Sequence, residues 1–504
     1  MISTAPPPSS AASTEPDDRP IGRRVLETVQ TVLLALALAF IFRAFFVEPF
    51  IIPTGSMAES LLGVHATRLC PACGWEFNVG TEAGRRAAGR FVPPPEIVCA
   101  NCRLRLVPSP ADTFGKAGDR VLVHKWAYAL GGLLGPDRWD VIVFRDPGDP
   151  DLHYIKRLVG LPGETVEILD GDVFIDGRIA RKPPAVQAAL WTVVFDQSHV
   201  PVRAAASGGT ARWVPEPPAA WNSPADRILR VTADAEPASL RFNAEAARDY
   251  LLDFSSYNGR STGALVGDVR LVLEITRWSG DGTVELELVH PPDRYAARLS
   301  AGGIEVTREP LGEDRFESSP QPPATEPVAT LARASAPALR AGWPVAVEFG
   351  YLDQRLYLRV DGRDVVPESA GDCARTADAV RAAHDVRSVR LGLRAERVRL
   401  AIRGLRIDRD VYYTITPQTV RAYPGRPFQL GPEEYFVLGD NSADSFDSRE
   451  WAEVGPHLPR GARPGSVRAD QIVGRAAFVY LPGLLATDHG QYRVPDVGRM
   501  RFVR

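Results

Sequence analysis

Short apolar runs closed off by Gly, Pro or Asp recur along this chain, and they commit it to a mainly β fold. Val121-Leu122-Val123, Val141-Ile142-Val143-Phe144 and Val166-Glu167-Ile168 have strand length and are too short for helices. Asp170-Gly171, between Ile168 and Val173-Phe174-Ile175, predicts a two-residue hairpin, because Asp and Gly accept the positive φ that such a turn needs. The pattern returns after residue 405 in Tyr435-Phe436-Val437-Leu438 and Ile472-Val473-Gly474. With 44 Pro and 43 Gly the chain is rich in turns, as many short strands require. A net charge of −3 leaves no basic footprint, so nucleic acid is not an expected partner. At 504 residues the chain has room for two to four domains.

The N-terminal part has a different character. Residues 1–24 are rich in Pro, Ser, Ala and Thr and cannot bury a core, so they read as a disordered tail. Residues 25–47 follow with Val32-Leu33-Leu34-Ala35-Leu36-Ala37-Leu38-Ala39-Phe40-Ile41-Phe42, a run of the length that spans a bilayer core of roughly 30 Å. No small-x-small cleavage site follows it, so the expectation is an uncleaved, single-pass transmembrane helix. Arg19, Arg23 and Arg24 precede the run, which orients the tail to the cytoplasm and the remainder to the exoplasmic side of the cell membrane. The lipid bilayer is then a partner.

Two segments interrupt the strand series, leaving 48–62, 112–183 and 407–504 as one candidate core. The first, 63–111, carries Cys70-Pro71-Ala72-Cys73-Gly74 and Cys99-Ala100-Asn101-Cys102, four of the five cysteines in the chain. Two such pairs can supply four thiolates to a tetrahedral ion, the arrangement of a zinc ribbon, with Cys70, Cys73, Cys99 and Cys102 as ligands of a structural Zn. Two disulfides are the alternative, since the topology places the segment outside the cytoplasm. The second segment, 184–406, reads as all β. Leu271, Leu273 and Ile275 alternate, Trp278-Ser279-Gly280-Asp281-Gly282 predicts a turn, and Val284, Leu286 and Leu288 alternate again. Val345, Val347 and Phe349 face Leu356, Leu358 and Val360 across a further turn. Repeated hairpins predict a β-sandwich, and in architecture the segment resembles the concanavalin-like, laminin-G-type jelly rolls. Trp191, Trp213, Trp278 and Trp343 are expected in its core.

The chemistry rests on Lys156, in His153-Tyr154-Ile155-Lys156-Arg157-Leu158-Val159-Gly160, and on Ser56, in Pro53-Thr54-Gly55-Ser56-Met57. A lysine among apolar residues on a strand loses solvation, which lowers its pKa, and the neutral amine can take a proton from a serine hydroxyl. Four blocks in order, Glu48 to Met57, Gly118 to Lys125, Trp139 to Glu164 and Gly439 to Arg449, resemble signal peptidase I. The resemblance implies a mainly β catalytic core behind the membrane helix and removal of signal peptides from secretory preproteins, with no cofactor for catalysis. It implies that Ser56 attacks the scissile carbonyl and that Lys156 is the general base. The Ser56 amide and the Thr54 hydroxyl would be oxyanion donors. Ser445 would orient the lysine, Asp440 would pair with Arg157, and Asp447 with Arg449. Phe50, Ile52 and Ile155 would line pockets for small residues of the signal peptide. The sequence departs from the family pattern in two places: Ala58-Glu59-Ser60 follows Met57, and Ser442 follows Asp440-Asn441. The rival expectation is a non-catalytic, membrane-anchored binding protein that works through the sandwich.

Overall fold

A computed structural model describes the chain from residue 21 to 504, apart from 46, 81–85, 88–89, 92–93, 95, 109–115, 130–134, 201–211, 223–225, 243–250, 312–326, 337–338, 340–342, 383–388, 483, 487–492 and 496. The tail expected over 1–24 lies outside the described residues up to residue 20. Its last four residues open a 25-residue helix, Ile21–Phe45. The segment expected to cross a bilayer is therefore helical, but Val47 already begins the first strand, Val47–Ile51. Among the described residues no helix is long and apolar enough to cross a membrane. The helical side chains described are those of 25–37, so the end of the expected apolar run, 38–42, lies outside them.

The three core segments meet in one antiparallel eight-stranded sheet. Its order is Val47–Ile51, Arg120–His124, Ile472–Leu481, Val141–Arg145, His153–Gly160, Glu434–Leu438 and Val467–Arg468, with Arg501–Phe502 paired to Ile472–Leu481. A strand from the far end of the chain thus lies between two from its first third, so the core closes only when 48–62, 112–183 and 407–504 are all present. One face buries Ile52, Met57, Leu61, Val121, Val123, Val141 and Val143. The other buries Ile142, Phe144, Leu158, Val437 and Trp451. The alternation of Ile142 and Phe144 with Val141 and Val143 is the pleat's period of two, with both faces covered. A second sheet orders Arg178–Ile179, Asp172–Ile175, Thr165–Leu169 and Phe428–Gln429. Its hairpin turns at Asp170 (φ 51°) and Gly171 (φ 87°), as their sequence predicts.

In segment 63–111 two hairpins, His65–Leu69 with Glu76–Gly80 and Ile97–Val98 with Arg105–Leu106, each present one cysteine pair at the turn. The two turns repeat one geometry. Cys70 N donates to Trp75 O and Gly74 N to Cys70 O (2.8 and 2.9 Å); Cys99 N donates to Leu104 O and Arg103 N to Cys99 O (both 3.0 Å).

Segment 184–406 forms a twelve-stranded antiparallel sheet wrapped around one large apolar core that includes Trp213, Leu271, Leu286, Phe349, Leu393 and Ile407. Its spine is a pair of long strands, Val269–His290 and Arg390–Arg409. The turn expected at 278–282 does not form: the chain runs on as one strand of 22 residues, with pairing shifts after Ile275 and Gly280. A bulge replaces the turn because the partner strand continues past it, and a Cβ at Gly282 would strike the carbonyl oxygen of Glu396. The expected hairpin forms, pairing Val347 with Val360 and Phe349 with Leu358, while Leu356 faces Tyr351. Of the four tryptophans, Trp213 is buried and Trp278 packs on the core edge, whereas Trp343 is 71 % exposed and Trp191 carries the Arg270 guanidinium 4.4 Å from its ring centre. The passage between core and insertion is marked by charge: Lys182 Nζ pairs with Asp353 and lies 2.9 Å from Asp410 Oδ2, all three buried.

Candidate active site

Lys156 sits at the centre of the eight-stranded sheet, opposite Ile142 on one side, on a strand that Glu434–Leu438 flanks on the other. Ser56 lies in the turn after Val47–Ile51, anchored by Ile52 and Met57, which are 2 % and 0 % exposed. These two placements bring Lys156 Nζ to 2.6 Å from Ser56 Oγ across a sequence separation of 100 residues. Both side chains are buried. Burial pulls the Lys156 ammonium down to about 8, with Arg449 pushing the same way and Asp447 and Asp440 opposing. The Tyr154 ring lies on the same face of the strand, its centre 5.8 Å from Nζ.

The loop Gly439–Arg449 supports this pair. Asp440 takes a two-pronged bond from Arg157 (Nε to Oδ1 and Nη2 to Oδ2, both 2.7 Å), and Arg157 also donates to the carbonyl of Trp139 at 2.8 Å. Asp447 receives Arg449 in the same fashion (2.9 and 2.8 Å), with Gly439 N at 3.0 Å. Burial works against the Asp447 carboxylate, but Arg449 and the Gly439 amide outweigh it and hold its pKa below the usual range. The Ser445 hydroxyl, expected to bond the lysine, donates instead to Asp447 Oδ2 at 2.8 Å. An ionised carboxylate is a stronger acceptor than an amine nitrogen, so Ser445 stands one bond further from Lys156 than its sequence suggests. Gly439 lets the two layers approach: a Cβ there would strike both Ser445 Oγ and the Ser56 carbonyl oxygen.

Sequence reasoning missed Asn441. Its amide N donates to Ser56 O at 3.1 Å and its side-chain Nδ2 to Gly55 O at 2.9 Å, so it clasps the backbone carbonyls on both sides of Ser56. The block around Asp440-Asn441 was the only signal for it. Asp119 holds the segment downstream, its Oδ2 accepting from Leu62 N at 3.0 Å. Among the described residues nothing bonds the Ser56 amide or the Thr54 hydroxyl, so both donors are free for an oxygen of a bound ligand. Phe50 and Ile155, half-buried, pack on the cluster that buries Ile52. A polar cavity of about 230 Å³ lies behind the support loop, between Ser60, Asp253, Arg409 and Asn441; neither Ser56 nor Lys156 lines it.

The four cysteine sulfurs of segment 63–111 lie within 4.8 Å of one another. Cys70 to Cys102 is 3.5 Å and Cys73 to Cys99 is 3.7 Å. Both separations approach the roughly 3.8 Å between thiolates on a tetrahedral Zn with bonds of about 2.3 Å, and both are far from the roughly 2.05 Å of a disulfide.

Comparison with known proteins places these residues in a wider set. Residues 99–197 and 397–481 match the family described as signal peptidase, peptidase S26. That match takes in Lys156, Arg157, Asp440, Ser445, Asp447 and Arg449, while Ser56 precedes it. Signal peptidase I of Pseudomonas aeruginosa is 31% identical over 127 residues, 22% of this chain and 43% of that protein. Signal peptidase I of Rickettsia typhi is 23% identical over 165 residues, 32% of this chain and 47% of that protein. The chain thus spans less than half the length of the curated relatives it matches. Among solved structures, the carbohydrate-binding module CBM66 from Bacillus subtilis covers 39% of this chain and 95% of its own at 12% identity, with a TM-score of 0.24, too low to assign the inserted domain a fold. The segments that carry Lys156 and its supporting residues are thus similar to the signal peptidase, peptidase S26 family.

Proposed function

We propose that this chain is a membrane-anchored serine endopeptidase that removes signal peptides from exported preproteins, with Ser56 as nucleophile and Lys156 as general base. The observation that carries the reading is the buried 2.6 Å contact between Lys156 Nζ and Ser56 Oγ. The neutral amine takes the hydroxyl proton as Oγ attacks the scissile carbonyl. The Ser56 amide and the Thr54 hydroxyl then stabilise the oxyanion. The resulting ammonium returns the proton to the departing amine, leaving an acyl-enzyme on Ser56. The same amine next deprotonates water, whose attack releases the acyl group and restores the hydroxyl. Asp440 with Arg157, and Asp447 with Arg449 and Ser445, are positioning residues. Phe50, Ile52 and Ile155 form the apolar floor that selects small substrate side chains.

Two further parts complete the reading. The helix Ile21–Phe45 exposes Val25, Leu26, Val29, Val32, Leu33, Leu34 and Leu36 and is the anchor, with the catalytic core on the exoplasmic side. Cys70, Cys73, Cys99 and Cys102 hold a structural Zn, which pins the two hairpins together and leaves no open position for catalysis. The test is cleavage of a preprotein in detergent or lipid by the full chain: the wild type cleaves, and Ser56→Ala and Lys156→Ala do not. Cleavage by Ser56→Ala at the wild-type rate ends the reading.

A further inference from the structure

The inserted domain does not stand clear of the catalytic core. One of its loops, residues 251–266, reaches into it. The loop is closed at its base by Val266 N to Leu251 O (2.7 Å) and Asp253 N to Ala264 O (3.0 Å), and near its tip by Ser255 N to Arg260 O (3.1 Å). The Asp253 carboxylate ties it further, taking Thr262 N at 3.0 Å and the hydroxyls of Ser261 and Thr262.

The tip touches the nucleophile's supports from two directions. Tyr257, 2 % exposed, packs with Ala58 and Leu62, just downstream of Ser56. Its ring fills the space a side chain at Gly55 or Gly80 would need, since a Cβ at either glycine would strike Cε1 of the tyrosine. Its hydroxyl donates to Val64 O at 3.2 Å, and its carbonyl accepts from Gly80 N at 2.8 Å. The wedge therefore bears on the catalytic turn and the cysteine-bearing hairpin together. Asn258 forms a reciprocal amide pair with Asn441 (2.7 and 2.9 Å), the residue that clasps Gly55 and Ser56. Arg260 adds an exposed ion pair to Asp444 at 3.1 Å, of small energetic weight.

We propose that this loop is a positioning element of the active site. Tyr257 and Asn258 hold Gly55 and Asn441, and through them the Ser56 hydroxyl and amide, in reacting geometry, so the inserted domain works in cis as part of the peptidase. The inference rests on the serine/lysine reading above. Packing alone would be served by any contact with the core; these contacts converge on the peptides that flank the nucleophile. A displacement of about 1 Å of a reacting group costs on the order of a hundredfold in rate.

The full chain is compared with Tyr257→Ala, Tyr257→Phe, Asn258→Ala and, as a distant control in the same domain, Arg333→Ala. Two readouts are taken: kcat and KM for preprotein cleavage, and hydrogen exchange of the Ala58 and Asn441 amides. Tyr257→Ala and Asn258→Ala lower kcat about a hundredfold and about tenfold with KM little changed. Both speed exchange of the two amides about tenfold or more while global unfolding stays put. Tyr257→Phe keeps the wedge and most of the rate, and Arg333→Ala matches wild type. Wild-type kcat and unchanged exchange in folded Tyr257→Ala and Asn258→Ala overturn the proposal. If the wild type itself does not cleave, the peptidase reading fails, and the exchange measurement still decides whether the loop holds the turn.

Discussion

The ionisation of Lys156 gives the sharpest test of the chemistry. Burial lowers its pKa from 10.5 to about 8. At pH 7 that leaves about 9 % of the amine neutral, against about 0.03 % at the ordinary value, a gain of about three hundredfold in competent base. The kcat/KM profile of the free enzyme should rise with pH along one limb centred near 8 and level off above it. The same shift is visible in stability, and its sign is fixed by proton counting. Between pH 8 and 10.5 the unfolded lysine binds a proton that the folded one does not, so folding stability rises with pH through that window. Below pH 8 the buried site costs the fold about 3 kcal/mol, which Lys156→Met recovers. Lys156→Met should therefore unfold at higher denaturant concentration than wild type at pH 7, with the difference shrinking above pH 8. A rate limb at pH 10 or beyond, or a Lys156→Met variant no more stable than wild type at pH 7, refutes the desolvated-amine argument.

Three other perturbations follow from the same contacts. Asp440→Asn leaves the buried Arg157 guanidinium without its counter-charge and should destabilise the fold by about 3–5 kcal/mol in urea unfolding, with loss of cleavage. Lys182→Met strands Asp353 and Asp410 where the insertion joins the core, with a similar cost of about 3–5 kcal/mol; because burial and the neighbouring Asp353 push Asp410 up to about 6 against the pull of Lys182, the loss should be smaller at pH 5 than at pH 8. A chelator strong enough to strip Zn should lower the thermal midpoint of wild type and leave Cys99→Ser unmoved; metal analysis of purified protein should find one Zn per chain, and a reagent that titrates four more thiols after chelation than before it checks the same site, Cys373 lying outside it.

Much of the three-segment core was legible because its signals are local. Apolar runs of three or four residues became the strands Arg120–His124, Val141–Arg145 and Glu434–Leu438, and Asp170-Gly171 became the turn its residue types require. Asp440 and Arg157 are 283 residues apart, yet each sits in a recognisable block, so their pairing could be anticipated from the resemblance. Ser445 bonds Asp447 where its block suggests the lysine, because Arg449 and the Gly439 amide fix that carboxylate beside it in three dimensions. The turn expected at 278–282 failed for a related reason. Gly-rich sequence permits a turn, but a partner strand of 20 residues kept Val269–His290 extended through it.

Sequence by itself determined the strand-rich class, the three-part core, the cysteine pairs and the two groups that meet at the centre, because each depends on residue type and near-neighbour spacing. Tertiary structure alone decided that Ser445 bonds Asp447, and that Tyr257 and Asn258 of an inserted domain press on the turn that carries Ser56. Acceptor choice and long-range contact arise from what the folded chain packs around a group, and no local pattern of residues encodes them.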